Sequence, residues 1–273
     1  MVIAPTKTKL LIMANERLRQ ARAPLDNLSI MLGDTRVLPT PSERLLGVTL
    51  SQDLTWLLHY WGETWREKDN LPGLIPQLIK RLGLLKYLGR VTSRNKMRSL
   101  VPGMFISKLT YATQLTSSVW GLSEYGEHEL NKLSCPKEVI LKLQSAQRQA
   151  ASLLCPDLHV DQHVPTARVL HEANLLSVHQ QAALSILTLA LRVLHTGKPS
   201  YLATRLVQHE TKGRTGQTLK VPKLRLNLSH EGFVNQATRL INKLPMHLVQ
   251  EPLVKKRKRL LKDWVNSNIP VKP

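Results

Sequence analysis

Cysteine is almost missing from this chain of 273 residues: only Cys135 and Cys155 occur, so no disulfide framework holds it, and the usage fits a reducing compartment. Aromatic residues are scarce at 4%, which argues against a β-sandwich, since strands favour aromatic and β-branched side chains. Long apolar runs are missing as well. The most apolar window, AALSILTLALRVL (182–194), is about a third too short to cross a bilayer and contains Arg192. Met1-Val2-Ile3-Ala4-Pro5 has neither the basic start nor the apolar centre of a signal peptide. The expectation is an intracellular, soluble chain that binds no membrane. Acidic side chains are few: 19 against 39 Lys and Arg, for a net charge of +20 and a pI near 10.3.

What is present follows from those gaps. Hydrophobic residues make up 42%, near the globular average, and leucine carries most of that share, which favours helix packing. A field of +20 attracts polyanions and repels itself unless a partner neutralises it. RNA or DNA is the partner that this chemistry favours, because neutralised phosphates release counterions. The plain alternative is a basic soluble protein.

Strand signals are confined to residues 1–54. KLLIM (9–13) reads as a buried strand, and LSIMLGDTRVLP (28–39) as two strands around a Gly33-Asp34 turn. LLGVTL (45–50) reads as a further strand, closed by a turn at Ser51-Gln52-Asp53. Such a patch is too small to stand alone, and its open edge predicts aggregation or poor order.

Beyond residue 55 the apolar period becomes helical. Leu74, Ile75, Leu78, Ile79, Leu82, Leu85 and Leu88 share one face. A second helix is expected from Thr92-Ser93 to about Trp120, interrupted at Pro102-Gly103, and further helices over 135–154, 165–176 and 177–195. Residues 207–231 read as an exposed basic loop ending in an extended segment that alternates Leu224, Leu226 and Leu228 with Arg and Asn, followed by helices over 231–245 and 252–265. The fold class expected is therefore mainly α with a small antiparallel β part. Its segments are 1–54, 55–130, 131–206, 207–231 and 232–273.

These segments, in this order, resemble the tail of the palm, the thumb and the following helices of non-LTR, LINE-like (jockey-type) retrotransposon reverse transcriptases. KTKLLIM resembles the strand after the YxDD hairpin, and SERLLGVTLSQDLTW the next hairpin of that family. RLGLLKYLGR, SKLTYATQLTSSVWG, LQSAQRQAASLL, HVPTARVLHEANLLSVHQQ, PSYLATRL and GFVNQATRLINKLP resemble its later blocks. The resemblance implies a back half whose catalytic hairpin lies upstream in relatives. Two-metal phosphoryl transfer needs paired carboxylates, and Asp26, Asp34, Asp53, Asp69, Asp157, Asp161 and Asp263 are scattered. The parent activity would be RNA-directed DNA polymerisation with Mg2+. This chain is expected to hold no cofactor, to carry no catalytic residue and to be inactive alone.

By the same resemblance, Lys7 and Lys9 match a lysine-bearing strand near the incoming nucleotide, where an ammonium would neutralise departing pyrophosphate. Leu45, Leu46, Gly47, Val48 and Thr49 match the primer-grip hairpin, although the family usually has an aromatic at the position of Leu45. The plain readings are an exposed strand end and a tight hairpin. From the residues themselves, Lys80, Arg81, Lys86, Arg90, Arg94, Lys96 and Arg98 form a cluster nearly free of acids, suited to phosphates rather than bases. Lys255, Lys256, Arg257, Lys258 and Arg259 fit a nuclear-import signal or a nucleic-acid patch, beside a face of Leu253, Leu260, Leu261 and Trp264. Either cluster has a bland reading as a solvated helix face.

Cys155, His159 and His163, with His171 and Cys135 nearby, match no zinc-site spacing, because Pro156 and Pro165 break any single helix. Leu153-Leu154 before Cys155 points to burial rather than to a thiol nucleophile. Two rival readings stay open: a helical protein-interaction module whose charge serves solubility, and a non-functional product of a decayed element.

Overall fold

Two short hairpins open the described part of the computed structural model, which covers residues 8–13, 28–53, 55–62, 72–111, 113–116, 137–155, 158, 164–206, 208–209, 218–221, 232–269 and 271. In the first hairpin β1 (Ile30–Leu32) pairs antiparallel with β2 (Thr35–Val37), Ile30 opposite Val37, around Gly33-Asp34. Gly33 takes the positive φ (+60°) that the sequence predicts. The second hairpin departs from expectation. LLGVTL is not one strand: the chain reverses inside it, between β3 (Ser42–Leu45) and β4 (Val48–Ser51). Leu46 (φ +49°) and Gly47 (φ +83°) form the turn. Positive φ at both central positions suits the twist of paired strands, but a leucine adopts it at a cost.

KLLIM is not the buried strand that its apolar run suggests. It makes one bridge, Leu10 to Pro39, with the Thr40 N–H donating to the Leu10 carbonyl at 2.8 Å. Pro39 has no N–H to offer and so cannot extend a ladder. Leu10, Leu11 and Ile12 are half-buried and Met13 is exposed.

The described residues fall into two compact units, the first reaching Pro76 and the second beginning at Gln77. In the first, α1 (Leu57–Trp61) packs on β4 and buries His59 and Tyr60. The Thr49 N–H donates to His59 Nδ1 at 3.5 Å, and the His59 and Tyr60 rings meet edge to face at 5.2 Å.

In the second unit the period predicted for α2 (Leu74–Val91) holds: Leu78, Leu82 and Leu85 are buried. Ile79, assigned to the same face, is 55% exposed, because it stands about 100° round the helix from Leu78. Ser93 precedes α3 (Arg94–Leu100) with extended backbone but lends no side-chain cap. Pro102 interrupts without breaking. Lacking an N–H, it cannot make the usual helical bond, and the chain widens into a π-helical stretch, Val101–Ile106, before α4 (Ser107–Leu109). The regular helix thus stops well short of Trp120, which lies outside the described residues.

Of the remaining helices, α5 (Lys137–Ser152), α6 (Thr166–Glu172), α7 (Val178–Thr196), α9 (Phe233–Asn242) and α11 (Val254–Asn268) fall where the sequence predicts helix, whereas the short α8 (Ser200–Ala203) and α10 (Met246–Gln250) were not expected. The apolar α7 is the centre. It buries Ala182, Ala183, Ile186, Leu187, Ala190 and Leu191, and its alanines let α9 and α11 approach closely. Those helices bring Leu240, Ile241, Leu261 and Val265 to the same core. A capping box starts α7: the Gln180 N–H donates to Ser177 Oγ (3.2 Å) and the Ser177 N–H to Gln180 Oε1 (2.9 Å). Gln180 Nε2 also donates to the Ile269 carbonyl at 2.8 Å, tying the end of α11 to the start of α7.

Residues 207–231 are not wholly an exposed loop. β5 (Gln208–His209) pairs with β6 (Thr218–Leu219), Leu219 is buried, and the Asn242 amide closes both of its backbone bonds, at 2.8 and 2.9 Å. Leu224, Leu226 and Leu228 lie outside the described residues. The chain is mainly α-helical with small antiparallel strand pairs.

Candidate nucleic-acid interface

No Asp or Glu occurs between Asp69 and Glu124, and α2 and α3 lie inside that acid-free stretch. Helix geometry sorts its cations. The buried stripe of α2 runs through Leu78, Leu82 and Leu85, so Lys80, Lys86 and Arg90 fall on or beside the outer face and are exposed. On α3 only Met97 is buried, which leaves Arg94, Lys96 and Arg98 outside.

Exposure alone does not make a phosphate ligand, and three of the seven cations are engaged within the fold. The half-buried Arg81 donates through Nη1 to the Met104 carbonyl, in the π-helical stretch where regular bonding is disturbed. Arg94 Nε donates to the Leu154 carbonyl at 3.2 Å, just past the C-terminal end of α5. Lys86 Nζ donates to Gln149 Oε1 at 2.9 Å, a surface bond that solvent readily exchanges. Lys80, Arg90, Lys96 and Arg98 make no hydrogen bond or ion pair among the described residues.

The basic run of α11 divides in the same manner. Arg257, Leu261 and Val265, four residues apart, form the inward stripe, so Arg257 leaves the exposed set. Its guanidinium donates to the Glu251 carbonyl at 3.1 Å. Burial pushes its pKa down, with the Glu251 carboxylate acting the other way. Leu253, placed on the apolar face by its spacing, is exposed instead. Lys255, Lys256, Lys258 and Arg259 remain outside, and Lys256 pairs with Glu251 at 2.8 Å. That carboxylate also accepts the Leu253 N–H at 3.1 Å. Its position at the start of α11 matters, because cations crowd a helix N-terminus whose dipole disfavours them.

In the first unit Lys9 is exposed, whereas Lys7 lies outside the described residues. Of the hairpin residues, Leu45 and Leu46 project into solvent, Gly47 and Thr49 are half-buried and Val48 is buried. Cys155 is buried, as its leucine neighbours predict, and Cys135, His159 and His163 lie outside the described residues. A groove of about 580 Å³ between α6 and the end of α11 is lined by Arg168, His171 and Gln180, with no carboxylate among the described residues that line it. No protein-family model, curated protein or solved structure matches the chain.

Proposed function

We propose that this chain binds RNA or DNA through phosphates, without reading base sequence, and that it is a reverse transcriptase fragment of a non-LTR retroelement. The observation that carries the binding reading is the set Lys80, Arg90, Lys96 and Arg98: exposed, without partners among the described residues, and in a stretch free of acids. Lys255, Lys258 and Arg259 offer a second cationic surface on α11. Such contacts release counterions, so affinity depends on salt and hardly on sequence. The origin rests on the resemblance alone, with Lys9 and the Leu46-Gly47 hairpin as palm remnants. Polymerisation is not part of the proposal, because no two aspartates are adjacent to hold a pair of Mg2+ ions.

A salt titration with a labelled oligonucleotide tests the binding reading. Between 50 and 200 mM salt the affinity should drop by about 10³-fold if six or more phosphates are neutralised. A log–log slope near zero would reject it and favour a helical protein-interaction module. A primer-extension assay with Mg2+ and nucleotides tests the inactive-fragment reading, and any product would reject it.

A further inference from the structure

Tyr87 stands in the middle of the outer face of α2 and is 63% exposed. Lys80, Gly83, Leu84, Arg90 and Val91 lie within about 60° of it round the helix, and none of them is buried. An exposed tyrosine alone is unremarkable in a protein, yet here it is framed by cations on both sides along the axis. Lys80 and Arg90 stand about 15 Å apart by the helical rise, and neither has a partner among the described residues. The ring of Tyr111, by contrast, already has the Lys108 ammonium over it at 5.6 Å. No ring, cation or hydrogen-bond contact engages Tyr87 among the described residues.

Gly83 gives the second half of the observation. A helical side chain leans toward the turn N-terminal to its own Cα, so positions 83 and 84 lie on the side toward which Tyr87 leans. At 83 that surface is bare, and a Cβ built there would meet nothing within 4 Å. Nothing in the packing therefore requires glycine, and an alanine would suit the helix better. What glycine does provide is an open shelf beside an aromatic face, flanked by Leu84 and bracketed by cations.

We propose that this face of α2 stacks an unpaired base on Tyr87 while Lys80 and Arg90 hold the flanking phosphates, so that the nucleic acid taken by the second unit is single-stranded. The inference rests on the phosphate-binding reading and narrows its substrate. Stacking needs a base whose face is free, which a duplex does not offer on its outside, and it tolerates any sequence because every base has such a face.

The test uses the full chain, oligo(dT) of about 15 nucleotides, and a dA·dT duplex of equal length, in low salt. The wild type should prefer the single strand. Tyr87→Ala should weaken strand binding by about 5-fold or more and leave duplex binding and the salt slope alone, while Tyr87→Phe should keep strand affinity. Gly83→Leu should raise resistance to denaturation yet lower strand affinity, a pairing that a merely structural role would not produce. Unchanged strand binding by Tyr87→Ala, or an equal loss on strand and duplex, overturns the stacking proposal and leaves the phosphate reading intact. Failure of the wild type to bind either probe overturns both.

Discussion

The two units use apolar residues in opposite ways. In the second, the large side chains of α7, among them Ile186, Leu187 and Leu191, are fully buried against α9 and α11. In the first, Leu28, Ile30, Met31, Leu38, Leu45 and Leu46 are exposed, and the described core is Val37, Val48 and Tyr60, with Leu74 and Ile75 at the start of α2. A helix with a 3.6-residue period hides its apolar stripe against one neighbour. A two-stranded hairpin has two faces and two edges, and these hairpins remain separate ladders of three and four residues per strand. The difference teaches that stability in this chain is helical. The hairpins are where added partners, or aggregation, would change the molecule most.

The largest effect that would break this contrast lies in α7. Ile186→Ala or Leu187→Ala should cost about 2–5 kcal/mol in denaturant unfolding of the second unit, because a cavity opens where three helices meet. Amides of α7 should exchange only on global unfolding, whereas those of Thr35–Val37 should exchange through local opening. Equal protection of both would show that the hairpins are as firmly held as the helical core.

Next in size is the tie at the start of α7. Gln180→Ala removes half of the capping box and the bond to the Ile269 carbonyl together, for a loss of about 1–3 kcal/mol in the same unfolding measurement. Gln180→Glu keeps the acceptor for the Ser177 N–H but loses the donor to Ile269, so it should fall between. If both variants match the wild type, the helix start is fixed by packing alone.

How much of this could be read beforehand divides along the same line. The longer helices were legible because leucine spacing and prolines at helix starts report directly on burial and termini, and the Gly33-Asp34 turn because glycine marks positive φ; the short helices at Ser200–Ala203 and Met246–Gln250 carry too few turns to show a period. Even the capping box was present in the letters Ser177-Val-His-Gln180 and needed only to be noticed. At Leu46-Gly47 the tight hairpin was legible beside the rival reading of one strand, but the positive φ of Leu46 was not, since nothing local tells a leucine to adopt it; the pairing of Ser42–Leu45 with Val48–Ser51 imposes it. For the cations, position on the helix could be read from spacing, but not the fate of the head group. Arg81, Arg94 and Arg257 are spaced like their neighbours, yet their long side chains reach carbonyls of distant turns. Charge counting therefore overstates the interface.

The imposed turn offers a stabilising prediction for the weaker unit. Leu46 is 83% exposed, so replacing it loses no packing, and Leu46→Gly removes the penalty of positive φ. A gain of about 1 kcal/mol is expected, read as slower amide exchange in Val48–Ser51. A destabilised hairpin would mean that the exposed leucine is covered by something in solution.

The same hairpin ends on a titrating group. Burial works against ionisation of Asp53, but hydrogen bonds from the Ser51 hydroxyl and from the Thr55 N–H and hydroxyl outweigh it and hold the carboxyl below its ordinary value of 3.8. A depressed folded pKa stabilises above the unfolded value. That contribution is therefore complete above about pH 5, starts to fall near the ordinary value and is gone below the depressed one. Exchange at Val48–Ser51, corrected for its intrinsic pH dependence, should quicken over that range. Asp53→Asn should be flat there, and a parallel acid response in both proteins would remove Asp53 from the account.

The smallest effect concerns the second unit's two cationic surfaces. Those of α2 and α3 have no acid in their stretch of sequence, whereas the run on α11 is partly neutralised by Glu251 through its pair with Lys256. The hydrogen bond from Lys256, then that from the Leu253 N–H, keep the Glu251 carboxyl below its ordinary value, so it is ionised throughout the neutral range. An exposed pair of this kind is weak, and freeing Lys256 should raise affinity for a single-stranded oligonucleotide only about twofold. Glu251→Gln is the suitable change, because the amide oxygen still accepts the Leu253 N–H and the start of α11 keeps its shape. Removing any acid also raises the net charge by one, so Asp263→Asn, exposed near the far end of the same helix, is the control. If Glu251→Gln gains affinity and Asp263→Asn does not, the α11 surface contacts the nucleic acid at its N-terminal turn. If the two variants gain alike, only the overall field is felt, and the contacts belong to α2 and α3.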